Sequence, residues 1–147
     1  MNTLSIQNTL ISTPSISTLP LRLIAGFIFS AHGAQKLFAW FGGYGLDGTG
    51  QWMESIGLTP GYLMALTAGS AEFFGGLLLI IGLFTRLSAF VLSITMIVAI
   101  FSVHIHNGLF MSNNGYEFGL ALLGISVALS IQGSGKYAID NIIAKKL

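Results

Sequence analysis

Six side chains that can hold or pass a proton stand in otherwise apolar stretches of this sequence: His32, Lys36, Glu72, His104, His106 and Glu117. An acid, an amine and imidazoles gathered at one depth could hydrogen-bond the polar oxygens of a small molecule, or take up and release protons. Their positions favour such a gathering. His32 lies near the middle of one apolar stretch and Glu72 near the middle of the next, so antiparallel helices place them at similar depth. Lys36 follows about 6 Å further along at a rise of about 1.5 Å per residue, toward the level of Glu117, His104 and His106. Glu72 is then either a neutral acid or the anionic half of a pair with Lys36, and the residues alone leave both open. The plainer alternative is that these groups pair only to fix helix register. For Glu117 a structural role has equal weight, because a carboxylate at a helix start complements the helix dipole. His104 and His106 are two residues apart and diverge on a helix, and no third ligand is near, so no metal site is expected.

The chain has no cysteine, hence no disulfide, thiol chemistry or thiolate ligand. The glycines between 42 and 50 lack the Lys-Ser/Thr of a phosphate loop, and no nucleophile elbow is present. Of 147 residues, 53% are hydrophobic and only 7% charged, where a soluble domain carries about 25% charge. This composition specifies an integral membrane protein, and the net charge of +1 gives no reason to expect a nucleic-acid partner.

The elements that must position these groups are all-α: a bundle of four transmembrane helices with an interfacial C-terminal helix. Residues 1–18, rich in Ser, Thr and Asn, read as a flexible cytoplasmic tail without the basic start of a secretory signal. Residues 19–133 form the four-helix domain. The first span, over 19–43, carries Arg22, Ala25, Gly26, Phe29, His32, Gly33 and Lys36 on one stripe, which must face protein or water. Glycines at 42, 43, 45, 48 and 50 break any helix there, leaving a short interfacial helix over 51–56. Thr59 and Pro60 are expected to cap the second span, residues 60–84, where Glu72 shares a face with Ala65, Ala68, Gly69, Gly75 and Gly76. The third span, 87–105, has the small and polar stripe Ser88, Thr95, Ala99, Ser102 and His106. The fourth, 116–131, has Glu117, Ala121, Gly124 and Ala128. Residues 134–147, with Ser134 as N-cap, read as an amphipathic helix on the cytoplasmic surface.

Arg22, Arg86, Lys136, Lys145 and Lys146 fall at one side of such a bundle and only Lys36 at the other. The positive-inside rule therefore places both termini in the cytoplasm. Arg22, Arg86 and Asp140 are inner-side structural residues in this reading, with Arg22 meeting Asp140 or a lipid phosphate.

The residues also resemble a family. Arg22 to Gly26, the run His32-Gly33-Ala34-Gln35-Lys36-Leu37, Glu72 followed by Gly75-Gly76, Gly82-Leu83-Phe84-Thr85-Arg86, and Gly133-Ser134-Gly135-Lys136-Tyr137-Ala138-Ile139-Asp140 together look like the DoxX family of bacterial membrane proteins. The closing segment departs in one place, with Ser134 where the family often has proline. The resemblance implies a four-helix protein of the bacterial inner membrane, often described as an oxidoreductase-associated or quinol-linked subunit. With no redox motif of its own, the chain would need a quinone in the bundle, or a partner carrying the cofactor.

Three functions are compatible with these residues. In the first, a membrane subunit binds a quinone-like or other small apolar ligand through Lys36, His32 and Glu72, and couples to a membrane or soluble oxidoreductase. In the second, a small transporter or exporter uses Glu72 and His32 as proton carriers. In the third, a non-catalytic partner stabilises another membrane complex.

Overall fold

The computed structural model describes residues 15–146. The expected tail over 1–18 lies almost wholly outside these residues, as does Leu147. Among the described residues every regular element is helical. Helix α1 spans Thr18–Phe38 and α2 spans Gly45–Ser55, joined through a single turn at Trp40–Gly42. Helix α3 spans Gly61–Ile81 and α4 spans Thr85–Ala99, and α4 runs on through a wider turn at Ile100–His104 and a tight one at Ile105–Asn107. After a turn at Met111–Asn113 come α5, Glu117–Gln132, and α6, Ile139–Ala144.

Helices α1 and α3 form the tightest pair because glycine lets their backbones touch. A Cβ on Gly76 would lie 2.6 Å from the backbone N of Ser30, and one on Gly26 would lie 2.7 Å from the carbonyl O of Gly76. Where apolar surface gains little by leaving lipid, such close contact is a main source of helix association. Across from this pair, Phe29, Leu79, Leu92, Met96, Leu122 and Leu129 close the core between α1, α3, α4 and α5. Large apolar side chains such as Phe27, Phe74, Phe90 and Phe101 point outward.

Two helical stretches, Gly61–Ile81 and Thr85–Asn107, are long and apolar enough to cross a membrane. Helix α5 is apolar but has 16 residues, about 24 Å of helix. Helix α1 has 21 residues but includes Arg22, His32 and Lys36.

Four local expectations are corrected. Glycine does not break residues 45–55, which are helical from Gly45. The glycines serve an approach instead, since a Cβ on Gly50 would lie 3.0 Å from the Cα of Tyr62, and the Glu54 carboxylate accepts the backbone N–H of Gly61. Pro60 accordingly occupies the cap position of α3 and Gly61 is its first residue. The inward face of α5 is Leu122, Ser126 and Leu129, whereas Ala121 and Gly124 are exposed. In a helix apolar all round, small residues do not by themselves mark the packed side.

The fourth correction concerns the C-terminal segment. Helix α6 covers only Ile139–Ala144, and Ser134 is buried against α1 rather than capping a helix. The Ser134 carbonyl accepts the Thr18 hydroxyl at 3.0 Å and the Tyr137 carbonyl accepts Arg22 Nη2 at 3.0 Å. Carbonyls committed to α1, with Gly133, Gly135 and Tyr137 at positive φ, exclude a helix over these residues.

Candidate functional site

Lys36 stands in the last turn of α1 and Glu72 in the middle of α3. Their backbones come close because Gly69, one turn from Glu72, leaves room beside α1, where an added Cβ would lie 3.2 Å from Lys36 Cβ. The ammonium Nζ donates to Glu72 Oε2 at 2.5 Å, the one ion pair among the described residues. Its halves differ in exposure, with the Lys36 side chain 22% exposed and that of Glu72 5%. One N–H of Lys36 is committed to Glu72, so the ammonium keeps donor capacity for another acceptor.

Both residues line a cavity of about 640 Å³, within the range of small-molecule sites, about 300–1,000 Å³. Its walls are α1, the connector Gly42–Tyr44, α2 through Thr49, Trp52 and Met53, α3 through Ala68 and Glu72, and α4 through Thr95, Val98, Ala99 and Ser102. His104 and Asn114 also line it, with His104 Nδ1 and the Asn114 carbonyl 2.8 Å apart. Largely apolar walls that include one charged pair suit a ligand that has one polar head and an otherwise apolar body.

The other expected residues separate. His32 is exposed on the flank of α1, its ring centroid 6.1 Å from that of Phe118 on α5, and it does not line the cavity. The helical stripe explains this, since Phe29, Gly33 and Ala34 take the buried positions and His32 lies about 60° to one side of Phe29 on a 3.6-residue period, at the shoulder of the stripe. His106 is exposed and also outside the cavity, because the wide turn at Ile100–His104 breaks the 3.6-residue spacing that joined it to Ser102. Glu117 accepts the backbone N–H of Met111 at 2.6 Å and so fastens the turn at Met111–Asn113, and it does not line the cavity. Trp52, Met53 and Thr49 were hidden by the glycines of α2, although the buried spacing Gly45, Thr49, Gly50, Met53 is helical.

At the opposite end Arg22 is fully buried and reaches Tyr137 rather than forming an ion pair with Asp140. Asp140 accepts the backbone N–H groups of Phe84 at 2.7 Å and Thr85 at 3.0 Å, capping α4. Arg86 does the reverse for α5, donating to the last carbonyls, Ser130 at 3.2 Å and Gln132 at 3.3 Å.

A glycine-packed helical bundle with apolar outer faces and a part-buried ion pair lining a cavity defines a small helical membrane protein. The family is equally definite: this chain belongs to the DoxX family, whose model, described as DoxX, matches residues 17–105. It is 38% identical over 88% of its length to a Bacillus subtilis (strain 168) protein named "Putative oxidoreductase CatD", covering 89% of that protein. It is 31% identical over 89% of its length to "Inner membrane protein YqjF" of Escherichia coli (strain K12), covering 95% of it. A Haemophilus influenzae protein named only "Uncharacterized protein" is 35% identical over 86% of the chain and is covered to 90%. No solved structure gives a significant match.

Proposed function

We propose that this protein is a four-span protein of the bacterial inner membrane, with both termini cytoplasmic, that binds a quinone-like molecule in its outer cavity. It serves as the membrane subunit or partner of an oxidoreductase system. The observation that carries this reading is the Lys36–Glu72 pair lining a cavity that is otherwise largely apolar. A second support is the oxidoreductase name of the Bacillus relative, and a third is the inner-membrane name of the Escherichia one.

The residues fit such a ligand. Lys36 donates a hydrogen bond to a ring carbonyl oxygen, and the neighbouring Glu72 carboxylate accepts one from the hydroxyl of the reduced form. Trp52 and Met53 supply apolar contact to the ring. A bound quinone contributes two-electron chemistry, and the oxidoreductase partner exchanges the electrons.

The test is titration of the purified protein in nanodiscs with decylubiquinone, followed by competition with its reduced form. Wild type binds, and Lys36→Met weakens binding about tenfold or more, because a hydrogen bond from a charged donor contributes about 1.5–3 kcal/mol. Equal affinity in both proteins would remove Lys36 from the site and the proposal with it.

A further inference from the structure

The cavity is flanked by two helices that do not pack on each other. Helix α2 is held to α3 through Gly50, Gly61 and Tyr62, and α4 is held to α3 and α5; no substantial interface joins α2 to α4 among the described residues. Each contributes a half-exposed apolar side chain beside the cavity, Trp52 at 43% and Val98 at 48%. The outer edge is tied differently. The Asn114 carbonyl lies 2.8 Å from His104 Nδ1 and accepts Asn107 Nδ2 at 3.2 Å, drawing the outer turn toward the end of α4.

Depth decides what the gap faces. The stretch Thr85–Asn107 has 23 residues and is apolar enough to cross a membrane. Thr95 lies ten residues along it, about 15 Å at a rise of about 1.5 Å per residue, near the middle of a hydrocarbon core about 30 Å thick. The cavity wall from Thr95 to Ser102 therefore stands at the level of acyl chains.

We infer that the cavity is entered sideways from the bilayer, between α2 and α4 at a portal rimmed by Trp52 and Val98. The ligand class is then an amphiphile. Its hydrogen-bonding head rests at Lys36 and Glu72, and its apolar chain leaves between the two helices into the lipid. This inference rests on the cavity being a ligand site, and it narrows the quinone-like molecule to one carrying a long apolar chain rather than a compact solute arriving from water.

The native chain has no cysteine, so single cysteines can be labelled without background. Nitroxides are placed at Thr95→Cys and Ser102→Cys in the cavity wall, with Phe90→Cys as an outward-facing lipid reference and Asn113→Cys as an outer-turn reference. In nanodiscs the two cavity labels collide readily with dissolved oxygen and little with a water-soluble nickel chelate. Strong nickel collisions at both positions would mean entry from water and overturn the portal, whatever the quinone titration shows. Lipid-type accessibility with no quinone binding supports the portal and overturns the quinone head group instead. Using two cavity positions keeps the result independent of either substitution. In a second arm, Ala99→Phe narrows the gap. Where wild type binds decylubiquinone, the variant weakens that binding severalfold more than binding of ubiquinone-0, which has the same head and no chain; equal weakening of both bound ligands, or of neither, overturns the portal.

Discussion

Gly33 of α1 rests against the backbone of Phe73 of α3 so closely that a Cβ there would stand 2.7 Å from the Phe73 Cα. No side-chain rotation relieves that contact, so any larger residue must separate the two helices that carry Lys36 and Glu72. Gly124 of α5 is the counterpart, with nothing within 4 Å of an added Cβ. Gly33→Ala is therefore expected to lower the melting temperature in detergent and Gly124→Ala to leave it unchanged or raise it. The helix preference for alanine over glycine, about 1 kcal/mol, acts at both sites, so only the packing differs. Equal shifts would show that α1 and α3 are not in backbone contact.

The α1–α3 packing was legible from sequence because its signal is spacing alone. Glu72, Gly69, Gly75, Gly76 and Ala65 recur on one face of α3, and a face of small residues around one carboxylate has few places to go but a helix contact. The inward face of α5 was not legible, since Leu122 and Leu129 look no different from lipid-facing leucines. Nor was α2, where a glycine that breaks a helix and a glycine that admits a neighbour read alike. Of the site, Lys36 and Glu72 were visible as charges in apolar stretches. His32 and His106 were misplaced by a fraction of a turn, in one case through a wide turn that no spacing rule foresees.

The C-terminal segment has a role that only the folded chain reveals, and it supplies a second prediction. Asp140, 2% exposed, satisfies two backbone N–H groups at the start of α4. Asp140→Ala strands both groups and is expected to cost about 0.5–2 kcal/mol, the usual range for a lost cap, while Asp140→Asn keeps one acceptor and loses less. Thermal melting of the purified variants orders them wild type, Asn, Ala. An Ala variant as stable as wild type would mean that the segment is not docked in the membrane-embedded protein.

Orientation is the third prediction. Arg22, Arg86 and Lys136 gather at the end closed by Asp140, and Lys36 lies toward the other. A reporter fused after Leu147 should therefore be active only as a cytoplasmic marker. Single cysteines at Gln51 and Asn113, both exposed, should react with an impermeant maleimide in intact cells stripped of their outer barrier. Reaction only after the membrane is permeabilised would invert the topology and place the cavity on the cytoplasmic side.

The last prediction concerns the pair itself. Removing one partner of a buried ion pair leaves an uncompensated charge at a cost of about 3–5 kcal/mol, whereas removing both can be nearly neutral. Lys36, at 22% exposure, can reorient toward the cavity, so Glu72→Gln is expected near or below the lower end of that range. Lys36→Met strands the carboxylate, which is 5% exposed, and should destabilise more. The double variant should lose less stability than the sum of the two, with a coupling of about 0.5–3 kcal/mol, as found for residues in contact. Unfolding of all four proteins in the same detergent measures this coupling, and quinone titration of the same samples separates structure from function. If the pair serves a ligand, the double variant regains stability but not binding. Additive losses in stability would mean that the two side chains do not meet in the protein, and the cavity would then lose the charged pair on which the proposed head-group site depends.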